Sequence, residues 1–205
     1  FYSQSDRQME EFQKEFGVRT KFLVKCGSFD EKKIHQKVHS PIQVVYAGKL
    51  YCNRWKTLRL LARAINKVNK EYGKPKIQLN IYTADEITDV QNQFLNDGID
   101  SIIHGRVSAS ALPEIYKKSD IVLHIESFDK KNRLLTQDSF STKVMDCLAS
   151  GCAVMAICWE GHAAYQYLKK KNAAITASSE DEIYQNVKNI VHNLSLIHIS
   201  EPTRH

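Results

Sequence analysis

Two groups of residues in this sequence have the types and the spacing to hold a diphosphate. The first is Gly48-Lys49-Leu50, with Arg54 and Lys56 close behind. A glycine that closes an apolar run lets a ligand approach the backbone. Cations flanking the start of a helix then grip phosphate by charge and by hydrogen bond. The second group is Asp138-Ser139-Phe140-Ser141-Thr142-Lys143-Val144-Met145-Asp146. Its Ser and Thr open a helical stretch whose free N–H groups attract an anion. Asp146 lies two turns beyond Asp138 on nearly the same face, and a carboxylate there can accept hydrogen bonds from both hydroxyls of a ribose. Taken singly, each group also reads as ordinary surface chemistry: cations in a turn, or a helix cap with a solvated acid.

The surrounding pattern decides where such residues fall. Met9, Phe12 and Phe16 recur at helical spacing, so a helix is expected from about Ser5 to Phe16, and the apolar run from Thr20 to Lys25 predicts a strand. Cys26 to Ser40 is polar and reads as a connector. After it, strands are expected at Ile42 to Ala47, Lys76 to Thr83, Ile99 to His104, Asp120 to Glu126, Cys152 to Cys158 and Ala173 to Ala177. Helices fall between them, one carrying Leu58, Leu61, Ala62, Ile65 and Val68, one ending near Asn96, one with Leu112, Ile115 and Tyr116. A polar loop is expected from Glu126 to Asp138, then a helix marked by Phe140, Val144, Met145 and Leu148 that stops at Gly151. Another helix covers Ala163 to Lys170, and Ser179 with Glu182 has capping-box spacing for the last. Strand and helix thus alternate about six times. Apolar strands between amphipathic helices imply an α/β fold, a doubly wound parallel sheet of Rossmann-like type covered on both faces. Ligands of such sheets bind beyond the carboxyl ends of the strands, where both groups fall.

Composition narrows the function classes. With 42% hydrophobic and 25% charged residues the 205-residue chain is ordinary globular chemistry. No uninterrupted apolar stretch is long enough to span a membrane. The net charge of +6 is concentrated in runs such as Lys169-Lys170-Lys171, read as a solvated face; the basic residues are not interleaved with aromatics, so no nucleic-acid partner is expected. The five cysteines, Cys26, Cys52, Cys147, Cys152 and Cys158, form no CxxC and read as free thiols of a reducing compartment. His104, His124 and His162 fall near strand ends without metal-ligand spacing, and each reads as a structural histidine with satisfied ring nitrogens. Trp159, Tyr165 and Tyr167 read as packing aromatics. Neither GxGxxG nor GxxxxGK[ST] follows the first strand of the sheet, which argues against dinucleotide and P-loop modules. Phe1 looks like a chain already in progress. The last twelve residues, Leu194 to His205, resemble a translated sequencing adapter and are expected to be artefactual.

In order along the chain, Gly48-Lys49, Arg54, Gly105 and then Ser141-Thr142-Lys143-Val144-Met145-Asp146-Cys147-Leu148-Ala149-Ser150-Gly151 resemble the C-terminal domain of glycosyltransferase family 4, a GT-B group of retaining sugar transferases, of the bacterial polysaccharide type. The resemblance runs from about Ile42 to Val191. It implies three segments: residues 1–40 as the end of an N-terminal domain with its linker, 41–193 as the nucleotide-sugar-binding half, and 194–205 as the tail. It also implies roles. Lys49 and Arg54 match the basic pair on the donor diphosphate, with Gly48 as the strand-end glycine; Ser141 and Thr142 match the turn at the distal phosphate. Asp146 matches the acid on the ribose. Gly105, Arg106 and Val107 match the loop beside the nucleobase, and Asp138, or Glu126 in competition with it, the acid near the donor sugar.

The sequence departs from the family pattern in several places. Asp146 stands where Glu is usual, Trp55 where a glycine follows the second cation, and Cys152-Ala153 where Lys or Thr with Pro is common. The activity implied is transfer of a sugar from a nucleotide diphosphate donor, a UDP- or GDP-sugar, to a glycan or lipid-linked acceptor, without metal or other cofactor. The expected location is the cytoplasm, with peripheral association at the inner membrane face among the partners. A chain lacking most of the acceptor-binding half is expected to bind donor weakly and to transfer nothing. Two other readings stand beside this one: a GT-B nucleotide-sugar epimerase, and a non-catalytic nucleotide-binding α/β module.

Overall fold

The computed structural model describes residues 2, 3, 5–22 and 38–193. Most of the expected connector, Cys26, the end of the strand expected at Thr20 to Lys25, and the tail from Leu194 lie outside the described residues.

The opening segment forms β1 (Tyr2–Ser3), α1 (Asp6–Phe16) and β2 (Lys21–Phe22), with β1 and β2 paired in parallel. Ser5 caps α1, its side chain accepting from the Gln8 N–H, and Gly17 ends it in the left-handed conformation that glycine adopts without strain.

The main body runs β3 (Ile42–Ala47), α2 (Arg54–Tyr72), β4 (Ile77–Tyr82), α3 (Asp89–Leu95), β5 (Ser101–Gly105), α4 (Leu112–Lys117), β6 (Ile121–Ile125), α5 (Lys130–Thr136), α6 (Thr142–Ala149), β7 (Ala153–Ile157), α7 (Ala163–Lys170), β8 (Ile175–Ala177) and α8 (Glu180–His192). The last six strands make one sheet in the order β5-β4-β3-β6-β7-β8, and every pairing is parallel. That is the doubly wound α/β architecture the strand pattern implies. Strands β6 and β7 are buried along their whole length, as a sheet covered on both faces requires. On α2, Leu58, Leu61, Ile65 and Val68 are fully buried against the sheet, each contributing about 1.5–3 kcal/mol of apolar burial.

Two polar devices fix the amino edge. Buried Asp120 accepts from the backbone N–H of Gln43 at 2.7 Å and of His39 at 3.1 Å, which sets the entries of β3 and β6 side by side. Buried Asn69 on α2 donates to the Ile77 carbonyl and to Asp100, and its oxygen accepts from the Lys76 and Ile77 N–H groups. It therefore satisfies the backbone where β4 begins.

The chain order reverses between β3 and β6, so a crevice opens beyond their carboxyl ends. Helices returning from that edge to the amino edge must begin at it. The amino ends of α2 and α6 therefore both arrive there.

The structure adds two elements to the sequence reading, the short strand β1 and the helix α5. The expected loop between Glu126 and Asp138 contains α5, capped by Asp129, whose side chain accepts from the Asn132 N–H. A helix of seven residues that exposes Leu134 and Leu135 and buries Asn132 has no buried apolar face, and so it leaves no periodic apolar signal. At α8 the expected reciprocal cap is half formed. Ser179 accepts from the Glu182 N–H, but the Glu182 carboxylate reaches the Ser178 N–H instead.

Candidate functional site

A cleft of about 250 Å³ lies at the β3/β6 crossing, lined by Gly48, Lys49, Tyr51, Arg54, His124, Ile125, Glu126, Ser141 and Lys143. The two sequence groups meet there. From the first come Gly48, just past β3, then Lys49 and Arg54 across a loop in which Cys52 and Asn53 take left-handed backbone conformations at φ 54° and 58°. Such φ values cost a non-glycine residue about 1 kcal/mol or more each. Tethers on both sides hold the loop: the Tyr46 hydroxyl donates to the Lys49 carbonyl at 2.6 Å, and the Asn53 amide donates to Asp129 at 3.0 Å. Asp129 also accepts from the Ser127 hydroxyl and from Asn132, which together hold its carboxyl below the ordinary aspartate range. The β3 and β6 loops are thereby tied into one rim.

Arg54 is the most constrained cation. Its Nε donates to Glu126 Oε2 at 3.0 Å and its Nη2 to Oε1 at 2.8 Å, a bidentate pair with both side chains largely dry. Burial alone would lower the guanidinium's proton affinity, but the Glu126 hydrogen bonds and charge more than reverse that and raise it. The guanidinium also lies over the Tyr51 ring at 4.6 Å from its centre. The Nη1 edge is the part not spent on Glu126. Lys49 is exposed at the mouth.

From the second group, Ser141 caps α6, its hydroxyl accepting from the Lys143 N–H at 3.2 Å. Thr142 is the first residue of α6 and is exposed beside the cleft rather than lining it. Lys143 turns back into the cleft, its ammonium 4.6 Å from the centre of the Tyr46 ring. Burial lowers its proton affinity below that of an ordinary lysine, and Arg54 adds to the effect.

Asp138, expected near the donor sugar, stands elsewhere. It faces α1, where the Arg7 Nε lies 3.1 Å from both Asp138 Oδ1 and Glu11 Oε1. The N–H is aimed at Glu11, so among the described residues Asp138 Oδ1 has the Arg7 charge beside it without a hydrogen bond. Burial and the neighbouring Glu11 push its carboxyl above the ordinary aspartate value. Asp138 falls in the connection between the end of α5 at Thr136 and the α6 cap at Ser141, and so is not carried on the helical face of Asp146. Glu126 is the acid in the cleft.

The remaining expected site residues line the same carboxyl edge further out. Asp146 is exposed on α6. Gly105 ends β5 at φ 76°, followed by exposed Arg106 and half-buried Val107. β5 is two strands from β3, about 10 Å at ordinary strand spacing, which is the order of the reach from a diphosphate to its nucleobase. Beside them the His104 ring stacks on Tyr82 at 4.7 Å, and its Nε2 pairs with Asn80 at 2.7 Å.

His124 departs from the expected satisfied histidine. It is buried, and neither ring nitrogen has a hydrogen-bond partner among the described residues. Burial holds it well below the ordinary histidine pKa, with His162, Lys143 and Arg54 reinforcing this. Burial likewise brings His162 to about 4. Donor atoms of His124, Cys158 and His162 lie within 4.8 Å of one another. This is a poor place for a cation: Arg54 and Lys143 bear on it, and His162 Nδ1 accepts from the Ala164 N–H as the α7 cap. Burial also keeps the Cys158 thiol protonated, whereas metal ligands must be deprotonated. The group forms a neutral floor under the cleft. Cys52, Cys147, Cys152 and Cys158 are free thiols.

A larger groove of about 460 Å³ runs between α2, α3 and α8. There Arg63 and Lys67 are offset by Asp97, Glu180 and Asp181, so it lacks the positive potential of the smaller cleft. Among the described residues, no helix is long and apolar enough to cross a membrane.

Lys143 and Tyr51 are the cleft residues the sequence reading did not assign. The signal for Lys143 was at hand, a lone basic residue in the first turn of the helix that Ser141 opens.

A family model described as glycosyl transferases group 1 matches residues 41–193. No curated protein matches the sequence. Among solved structures, the pneumococcal O-GlcNAc transferase GtfA in complex with UDP and GlcNAc is similar over 98% of this chain and 39% of its own, at 21% identity and a TM-score of 0.66. A variant of TarM from S. aureus, in a complex that includes UDP, matches over 98% and 38%, at 11% identity and a TM-score of 0.67. WaaG, a glycosyltransferase involved in lipopolysaccharide biosynthesis, matches over 100% and 57%, at 12% identity and a TM-score of 0.61. The chain thus spans between 38% and 57% of the length of these three proteins. The likeness is one of fold: a six-stranded parallel sheet flanked by helices, Rossmann-like, as in the C-terminal domains of GT-B glycosyltransferases.

Proposed function

The chain belongs to the glycosyl transferases group 1 family, and from that premise we propose that it is the donor-binding half of a retaining glycosyltransferase. The donor is a nucleotide diphosphate sugar, UDP- or GDP-linked, and the acceptor a glycan or lipid-linked hydroxyl. The observation that carries the reading is the convergence of Gly48, Lys49, Arg54, Ser141 and Lys143 on one cleft at the switch point of the sheet. The UDP in the pneumococcal and S. aureus complexes supports the ligand class.

In this reading the diphosphate enters the cleft against the amino end of α6, where the helix dipole favours negative charge. Lys49 meets it at the mouth. Arg54 presents the edge that Glu126 does not engage, and Glu126 holds its orientation. The nucleoside extends along the carboxyl edge, with its ribose toward Asp146 and its base toward Gly105, Arg106 and Val107. When the sugar–phosphate bond breaks, charge gathers on the departing diphosphate, and Arg54 and Lys143, both largely shielded from water, stabilise it without rearranging. The site's own side chains supply this charge, so the reaction runs without a metal. Acceptor groups come from the other half of the enzyme, and this chain alone binds donor without transferring sugar.

The test is a thermal-shift titration with UDP, GDP and ADP. At about a hundredfold excess over Kd a nucleotide stabilises by about 2.7 kcal/mol, a rise of roughly 5–10 °C in a domain of this size. UDP or GDP is expected to give that rise, and Lys49→Ala and Asp146→Ala to reduce it. Equal stabilisation of both variants and the unaltered chain would remove these residues from the site.

A further inference from the structure

We propose that Lys143 is the residue that holds the distal phosphate, and that Gly48 is glycine because the Lys143 ammonium occupies the place of its side chain. The proposal rests on the donor-binding reading and adds to it a residue and its seat. A Cβ built on Gly48 would collide with Nζ of Lys143 and come within 2.9 Å of its Cε and 3.2 Å of the Tyr46 hydroxyl. The ammonium is therefore packed directly on the backbone at the end of β3, with the Tyr46 ring on another side.

Three cations reach the cleft, and they differ in how far their charge is already answered. Arg54 gives two of its donor groups to Glu126. Lys49 is exposed and solvated. Lys143 is largely buried, and among the described residues no carboxylate forms an ion pair with it. The nearest acids are Glu126, engaged by Arg54, and Asp146, which points out from the same helix. A desolvated cation without a counter-ion is costly unless an anion completes it. The geometry supplies the anion's place. Nζ packs on the Gly48 backbone in the cleft that Ser141, the α6 cap, also lines, and β6, which leads toward α6, is separated from β5 and its Gly105 loop by β3 and β4. A phosphate there is the second phosphate of a nucleoside diphosphate, which a monophosphate lacks.

The experiment compares UDP with UMP and GDP with GMP by calorimetry on the unaltered chain, Lys143→Met, Lys143→Arg and Gly48→Ala. Lys143→Met keeps the length and the apolar stem but removes the charge. Gly48→Ala leaves the charge and displaces it, since the colliding atoms are the flexible end of a side chain. Loss of one charge-assisted phosphate contact is expected to weaken diphosphate binding roughly ten- to hundredfold. Both variants are expected to show that loss while monophosphate affinity stays within about twofold, and Lys143→Arg to recover part of it. The melting temperature of Gly48→Ala reports whether the fold has survived. Diphosphate affinity unchanged in both variants overturns the role of Lys143 and leaves the donor-binding reading in place. So does an equal loss for monophosphate and diphosphate, which marks a general effect on the cleft. If the unaltered chain prefers neither diphosphate over its monophosphate, both readings fall.

Discussion

The Arg54–Glu126 pair offers the sharpest perturbation of the cleft. Glu126→Gln keeps the size of the side chain and removes its charge. Both partners are largely shielded from water, at 13% and 4% side-chain exposure, and they share two hydrogen bonds of 2.8 and 3.0 Å. Removing one member of such a pair leaves an uncompensated charge and costs about 3–5 kcal/mol when burial is complete. Arg54 keeps some solvent and glutamine can still accept one hydrogen bond, so about 2–4 kcal/mol is expected. In a domain of this size that lowers the melting temperature by roughly 5–15 °C. Adding Arg54→Met to Glu126→Gln removes the orphaned charge, so the double variant should be less destabilised than the two single losses added together, with a coupling of about 2 kcal/mol. The two single variants should part in binding: Glu126→Gln leaves the cleft one charge more positive and so strengthens nucleotide diphosphate binding, whereas Arg54→Met weakens it. Chemical denaturation of the four proteins gives the cycle, and calorimetry with UDP and GDP gives the second readout. A coupling below about 0.5 kcal/mol, or tighter diphosphate binding by Arg54→Met, would refute the picture of a cation held in place by Glu126.

Three further outcomes follow from the same structure. Asp138→Asn leaves diphosphate affinity within about twofold of the unaltered chain, because Asp138 faces Arg7 and not the cleft; a larger loss, read by the same titration, returns it to the donor site. Asn69→Ala removes four hydrogen bonds at the start of β4 and is expected to cost roughly 3 kcal/mol, read as a loss of denaturation midpoint with an unchanged slope. Stability also falls with acid in a defined window. His162 stays neutral in the folded chain down to about pH 4 and His124 is lowered in the same direction, whereas in the unfolded chain both take up protons below the ordinary value of about 6.5. Stability is therefore full only well above pH 6.5 and declines as the pH falls toward 4, by about 2 kcal/mol at pH 5 from His162, with His124 acting in the same direction. Melting curves between pH 7.5 and 4.5 measure this, and a flat profile would contradict the burial of the pair.

The order of strands and helices was legible because burial on both faces leaves continuous apolar runs, as at Ile121 to Leu123, and helices leave a 3.6-residue stripe, as at Leu58 to Val68. β3 and α7 were read to their boundaries. α5 was not, since a short helix with Leu134 and Leu135 in solvent has no apolar stripe to find. Asp138 was misplaced for a different reason: counting two turns back from Asp146 presumes that α6 extends to it, whereas α6 begins at Thr142. The convergence of Gly48, Lys49 and Ser141 follows from topology, because every strand-to-helix turn of a parallel sheet lies on one edge. What topology leaves open is rotamer and register. Whether Lys143 turns into the cleft or out to water depends on the vacancy at Gly48 and the face of Tyr46, and these are contacts between residues about a hundred positions apart.

Everything turns on where a nucleotide diphosphate sits on this chain, and amide chemical shifts locate it directly. Titrating the ¹⁵N-labelled protein with UDP and with GDP should move Gly48, Lys49, Thr142 and Lys143 most, and Gly105 to Val107 as well. Inorganic pyrophosphate should move the first four without the last three. Shifts gathered instead around Arg63, Lys67, Phe94 and Tyr184, in the groove between α2, α3 and α8, would place the ligand elsewhere and contradict the account.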